Sequence, residues 1–90
     1  MQLVTARPDD TFSPADVRIK VGGVVKFRNT GGDHTVFGGA GIPDEASPVG
    51  QQNIPQTGDS VRIRFPKPGI YPFFCIVHIE QRMRGEVVVD

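Results

Sequence analysis

Glycine and proline divide this chain into short segments throughout its length. The 90 residues include 11 glycines and 8 prolines, which are spread along the chain rather than gathered in one stretch. Turn-forming residues that recur between short apolar runs are typical of β-sandwiches and β-barrels. The sequence contains no convincing amphipathic helix. We therefore expect an all-β protein.

The strand pattern is clear in the first third and the last third of the chain. We predict strands at residues 17–21, 24–29, 61–65, 71–75 and 86–89, where apolar and polar residues alternate or β-branched and aromatic residues dominate. The interval 31–58 is rich in Gly and Pro, so we expect loops there, with at most one short strand or helical turn.

Two local features add detail to this prediction. Gly22-Gly23 separates two predicted strands and indicates either a hairpin or a tight corner. On the strand that follows Pro68-Gly69, the side chains of Tyr71, Phe73 and Cys75 share one face, which we expect to point inward. Tyr71 also has the position at which a contact like the tyrosine corner of β-sandwiches would fit.

Length and charge exclude several classes of function. Ninety residues form one domain, residues 1–90, which is too small for a cleft between two lobes, so we do not expect an enzyme. Ten basic and ten acidic residues cancel, and they form no long run of like charge, so we expect no nucleic-acid partner. No apolar stretch approaches the roughly 18–20 residues of a spanning helix, so we expect no membrane insertion of this chain.

The side chains best suited to bind a soft metal are concentrated near the end of the chain. The only cysteine is Cys75, and His78 and Met83 follow it in the pattern Cys-x2-His-x4-Met. Each residue alone would most often be structural, but a strand end followed by a tight loop can bring all three side chains to one point. A thiolate, an imidazole and a thioether suit copper far better than calcium or magnesium. The other histidine, His34, lies in the segment "FRNTGGDHTVF", and two histidines, a cysteine and a weak axial methionine make a blue-copper site.

Two segments, "VGGVVKFRNTGGDHTVFGGAGIP" and "PGIYPFFCIVHIEQRMRGEVVV", resemble the plastocyanin-type cupredoxins, which include plastocyanin, pseudoazurin and amicyanin. The Cys-x2-His-x4-Met spacing is similar to that of plastocyanin and pseudoazurin. The resemblance implies a two-sheet Greek-key β-sandwich that holds one type 1 copper per chain. By the same resemblance, the metal ligands are His34, Cys75, His78 and Met83, and the function is single-electron transfer by Cu(I)/Cu(II) cycling.

The resemblance also implies how such a protein would work in its surroundings. His34 would be the buried imidazole, whereas the far edge of His78 would reach the surface. Redox partner proteins would dock weakly and transiently around His78, with Ile79 and apolar side chains from residues 37–48 as a contact patch. We expect a monomer that is exported to the periplasm, the thylakoid lumen or the cell surface, after loss of a targeting segment not present in this chain.

Three positions depart from the family pattern. Thr35 stands where asparagine often follows the first histidine, which predicts a looser connection between the two ligand-bearing loops. Val77 replaces a frequent proline, and residues 79–82 lack the glycine of plastocyanin. The departures bear on the docking surface and the reduction potential rather than on the ligand set.

Other functions use some of the same residues. A copper carrier, storage or sensor domain would need the same ligands without electron transfer. A multicopper oxidase would have histidines beside the cysteine, but Phe74 and Ile76 flank Cys75. Cys75 and His78 would form a poor nucleophile–base pair because no third group orients them. Zinc is disfavoured because methionine is an unusual zinc ligand.

Overall fold

Nine β-strands and one 3-10 helix make up the fold, which a computed structural model describes over residues 1–90. The predicted all-β class is therefore confirmed. In chain order the elements are β1 (Gln2–Ala6), β2 (Phe12–Ser13), β3 (Asp16–Ile19), β4 (Val24–Asn29), β5 (His34–Gly38), β6 (Gln51–Ile54), β7 (Ser60–Arg64), β8 (Gly69–Phe74), the 3-10 helix (Ile79–Gln81) and β9 (Arg84–Val89).

The strands form two sheets that enclose a common core. One sheet has the order β2-β1-β4-β7, and the other has the order β3-β9-β8-β5-β6. The β1–β4 and β3–β9 pairs are parallel, whereas the remaining neighbours are antiparallel. This arrangement confirms the predicted two-sheet sandwich. The 3-10 helix is the only helix, and no helix here has the length and apolar character needed to cross a membrane.

The connection between β3 and β4 is a corner rather than a hairpin, because the two strands belong to different sheets. Gly22 has φ of 84°, a value that favours glycine. A Cβ on Gly23 would lie 2.9 Å from the carbonyl oxygen of Lys20, so the tight turn leaves no room for a side chain there. Of the two alternatives left open by the sequence, the hairpin is wrong.

Aromatic rings fill the centre of the sandwich. Phe73 is fully buried and contacts Phe12 and Phe27 edge-on, at centroid separations of 4.9 Å and 5.0 Å. Cys75 is buried on the same side of the chain, as predicted, while Tyr71 is half-buried and packs against the core. Phe74 is buried as well, so β8 ends in two buried residues before Cys75 begins the ligand loop, residues 75–83.

The interval 31–58 contains two strands, so the prediction of at most one was wrong. These strands, β5 and β6, pair antiparallel from His34–Ile54 to Phe37–Gln51. In β5, four of the five residues are buried, on both faces, and the strand lies inside the sheet between β8 and β6. A strand buried on both faces has no alternation to detect, and β6 is a mostly polar strand at the edge of the sheet. The short strands β1 and β2 were also absent from the prediction.

The packing of β5 against β8 brings the candidate ligands to one end of the sandwich. The two strands pair only at Phe37–Phe74 and Gly38–Phe73. Beyond this short ladder, His34 and Thr35 at the start of β5 face the residues that follow β8. The site is therefore built where two adjacent strands stop pairing with each other.

Candidate metal centre

His34 is a buried imidazole with one nitrogen unpartnered. The side chain is fully buried, and its Nε2 lies 2.5 Å from the carbonyl oxygen of Gly31. A carbonyl only accepts, so Nε2 donates the hydrogen and the neutral ring carries a free lone pair on Nδ1. That Nδ1 is the only buried side-chain nitrogen or oxygen without a hydrogen-bond partner. An orphaned buried acceptor of this kind indicates a ligand position.

The loop that precedes His34 is organised by Asn29, at the end of β4. The Asn29 amide nitrogen donates to the carbonyls of Gly32 and Ile54, at 2.7 Å and 2.6 Å, and its oxygen accepts from the Gly31 N–H at 2.6 Å. Gly32 has φ of 91°, and a Cβ there would lie 3.0 Å from His34 Nε2. The loop therefore fixes the carbonyl that orients the His34 ring. Asn29 was not predicted from the sequence to belong to the site, because a polar residue at a strand end is common.

Cys75 follows directly after β8 and is fully buried. Its backbone N–H donates to the Met83 carbonyl at 2.9 Å, which joins the two ends of the ligand loop. The Sγ atom receives the Thr35 backbone N–H at 3.4 Å. A hydrogen bond to the sulfur also orients it, so this environment suits a metal-bound cysteine.

The side chain of Thr35 connects β5 to the ligand loop. Its Oγ1 lies 3.6 Å from Cys75 Sγ and accepts the Ile76 backbone N–H at 3.0 Å. A hydroxyl has one hydrogen and two lone pairs, so it can donate to the sulfur and accept from the backbone at once. Thr35 makes both contacts from a buried position, and a connection looser than asparagine would give stays a prediction.

The ligand loop closes through backbone hydrogen bonds. The His78 N–H donates to the Cys75 carbonyl at 3.3 Å, and the Met83 N–H donates to the His78 carbonyl at 3.4 Å. After the 3-10 helix, Arg82 adopts a left-handed conformation with φ of 57°, which turns the chain back toward the core. Met83 is 1% exposed and belongs to the same buried cluster as Cys75.

Three of the predicted ligands converge. One ring nitrogen from each of His34 and His78 and the Sγ of Cys75 all lie within 4.8 Å of one another. Cys75 Sγ and His78 Nδ1 are 3.5 Å apart, and the two imidazole centroids are separated by 5.1 Å. Metal–nitrogen bonds of about 2.0 Å and metal–sulfur bonds of about 2.3 Å place neighbouring ligand atoms roughly 3.5 Å apart. The residues are thus spaced to hold one metal ion.

The outer edge of His78 is less exposed to solvent than predicted from the sequence. His78 Nε2 lies 3.3 Å from Oδ1 of Asp10, and the His78 side chain is 19% exposed. Asp10 belongs to the turn between β1 and β2, far from His78 in the sequence. No motif marked it as part of the site.

Exposed apolar residues lie in the ligand loop next to His78 in the sequence and in the loop that carries Ile42. Ile76, Val77 and Ile79 are 41–49% exposed, and Ile42 is 79% exposed. The loop that carries Ile42 passes close to the ligand loop, since a Cβ on Gly41 would lie 3.9 Å from Ile79 Cδ1. Ile79 and Ile42 are thus exposed and near each other, and the docking patch of Ile79 and the residue 37–48 loop stays a prediction.

The whole chain, residues 1–90, matches the family of copper binding proteins described as the plastocyanin/azurin family. The chain belongs to this family. The predicted family and the copper cofactor are thereby confirmed, and the convergent His34, Cys75 and His78 are consistent with one type 1 copper. Met83 as the fourth ligand stays a prediction.

Members of the plastocyanin/azurin family resemble this cupredoxin in sequence. It is 35% identical to a pseudoazurin from Methylorubrum extorquens, over 87% of this chain and 51% of that protein. It is 29% identical to the chloroplastic plastocyanin of Hordeum vulgare, over 88% of this chain and 54% of that one. The chain therefore spans about half the length of these two relatives.

Solved structures share the fold. A purple cupredoxin from Nitrosopumilus maritimus superposes with a TM-score of 0.81 at 20% identity, and each chain covers 100% of the other. A mutant plastocyanin of a fern gives a TM-score of 0.79 at 24% identity, covering 98% of this chain and 99% of that one. These structures support the cupredoxin fold of the sandwich.

Proposed function

We propose that this cupredoxin carries single electrons between redox partners through one type 1 copper. The observation that carries the proposal is the convergence of an unpartnered buried His34 Nδ1 with Cys75 Sγ and His78 Nδ1. We assign His34, Cys75, His78 and Met83 as the ligands. This set of two imidazoles, a thiolate and a weak thioether is the one used by blue-copper electron-transfer sites.

The protein residues prepare the site before any metal binds. His34 is held by the Gly31 carbonyl, and Cys75 by the Thr35 N–H and by the strand end of β8. Bound copper supplies the one-electron chemistry. A site whose ligands are fixed by a packed sandwich changes little in geometry when an electron arrives, and a small change in geometry permits fast transfer. Met83, buried and tied to Cys75 through the backbone, is placed to tune the potential.

Electron exchange with partners is assigned to the surface around His78. The exposed Ile42, Ile76, Val77 and Ile79 give this surface an apolar character that suits weak, transient docking. We also propose that residues 1–90 act as a single monomeric copper domain in an exported location. The resemblance to exported copper carriers and the chloroplastic name of the barley relative support this location.

Electron self-exchange tests the function directly. Mixtures of the Cu(I) and Cu(II) proteins are followed by NMR line broadening, and a parallel sample of Cu(I) protein is challenged with a Cu(I) chelator. An electron carrier exchanges electrons rapidly and keeps its metal. Slow exchange together with rapid loss of Cu(I) to the chelator would contradict the proposal and favour the copper carrier, storage or sensor function. The Cys75→Ser variant provides the control for metal bound elsewhere on the surface.

A further inference from the structure

We propose that Asp10 is a positioning residue for the copper ligand His78, and that its carboxylate lowers the reduction potential of the site. The inference rests on the proposed function, since it assigns a residue that acts on the metal through its ligand. The observation is the 3.3 Å contact between His78 Nε2 and Asp10 Oδ1. Asp10 lies outside the Cys-x2-His-x4-Met motif.

The contact completes a pattern that both histidines share. Each ring directs one nitrogen at the candidate site and presents its Nε2 to an oxygen, the Gly31 carbonyl for His34 and the Asp10 carboxylate for His78. An ionised carboxylate attracts a ring N–H, so Asp10 favours the tautomer of His78 that carries its proton on Nε2 and leaves Nδ1 free to bind the metal. A partner on the outer nitrogen fixes the ring's orientation and makes the imidazole a stronger ligand.

The backbone of the β1–β2 turn holds Asp10 in place. Arg7 N–H donates to the Thr11 carbonyl at 2.9 Å, and Asp10 N–H donates to the Arg7 carbonyl at 3.1 Å. Asp10 itself has φ of 61°, in the left-handed region that aspartate, asparagine and glycine tolerate best. The side chains of Asp10 and His78 are 31% and 19% exposed, so water screens their interaction only in part.

The charge of the Asp10 carboxylate should lower the reduction potential of the site. The oxidised site carries one more positive charge than the reduced site, so a carboxylate beside a ligand stabilises Cu(II) more than Cu(I). Loss of a hydrogen-bonded partner of a ligand typically costs about tenfold or more in metal affinity. A tenfold loss confined to Cu(II) corresponds to a rise in potential of about 59 mV for one electron.

Two substitutions separate the effect of the Asp10 charge from that of its polar contact with His78. Asp10→Asn keeps an oxygen acceptor and the left-handed backbone but removes the charge. Asp10→Gly removes both without backbone strain. The matched control is Asp9→Asn, because Asp9 carries the same charge one residue away but faces Arg7 and Thr11 instead of His78.

The experiment measures two quantities for each protein: the reduction potential of the copper-loaded form, and the imidazole nitrogen chemical shifts of His78 in the copper-free form. We expect the potential to rise in Asp10→Asn, to rise further in Asp10→Gly, and to change less in Asp9→Asn. In the copper-free wild type, His78 carries its proton on Nε2, and this preference weakens in Asp10→Gly. Equal potentials for the Asp10 and Asp9 variants, or a His78 proton on Nδ1 in the wild type, would overturn the inference. A wild-type protein without a thiolate–copper absorption band would instead overturn the proposed function.

Discussion

Replacing Thr35 with valine should weaken the fold and lower the reduction potential at the same time. The substitution preserves the shape of the side chain but removes the hydroxyl that lies between Cys75 Sγ and the Ile76 N–H. The backbone N–H of residue 35 still reaches the sulfur. Any change therefore reports on the hydroxyl alone.

The two effects can be estimated separately. The Ile76 N–H loses its 3.0 Å acceptor at a part-buried position, and an unsatisfied donor of this kind costs about 1–2 kcal/mol of stability. The contact from Oγ1 to sulfur is long, at 3.6 Å, so we assign it about 1 kcal/mol, below the usual range for bonds to charged groups. A hydrogen bond withdraws electron density from the thiolate and thereby favours Cu(I). Its loss should lower the potential by about 40 mV.

Urea unfolding of the copper-free protein measures the first effect, and voltammetry of the copper-loaded protein measures the second. Thr35→Ser, which keeps the hydroxyl, is the matched control and should retain a potential close to that of the wild type. A potential in Thr35→Val that equals or exceeds that of Thr35→Ser would refute the assignment of this hydroxyl to the sulfur. Unchanged stability would show that the Ile76 N–H finds another acceptor.

Three further substitutions test the sandwich by urea unfolding of the copper-free protein. Phe73→Ala removes a fully buried ring that two other phenylalanines contact edge-on. It should lower the free energy of unfolding by about 3–5 kcal/mol. A loss under about 1 kcal/mol would show that the core collapses around the gap. Gly85→Ala places a Cβ against the Ala15 carbonyl oxygen and 2.7 Å from Phe73 Cζ. We therefore expect the free energy of unfolding to fall by about 1–3 kcal/mol. Stability equal to that of the wild type would contradict the close packing of Gly85 against Ala15 and Phe73. Tyr71→Phe removes the hydroxyl that donates to the Lys67 carbonyl at 2.8 Å and should cost about 1 kcal/mol; no measurable change would mean that water replaces the bond fully.

Strands with one face in water could be predicted from the sequence, because alternation records which face is buried. Residues 61–65 are an example, and the observed β7 begins and ends within one residue of that prediction. β5 was missed because its residues are buried on both faces, so its sequence HTVFG has no alternation. The residue at which a strand ends depends on its pairing with distant segments, and this pairing cannot be predicted from a single sequence.

In the candidate site too, residues that are close in the sequence could be predicted together, whereas a contact between distant segments could not. Cys75, His78 and Met83 could be grouped from their spacing alone, because one loop connects them. His34 followed from ligand chemistry and family resemblance. Asp10 could not be found in this way, because its position depends on how the β1–β2 turn packs against the ligand loop.

The most direct test of the type 1 copper site is the visible absorption spectrum of the protein with one equivalent of Cu(II), measured beside Cys75→Ser. We expect an intense band near about 600 nm that ascorbate bleaches and the variant lacks, because a bound thiolate transfers charge to Cu(II). A colourless or weakly coloured wild-type protein, or a variant with the same spectrum, would contradict it.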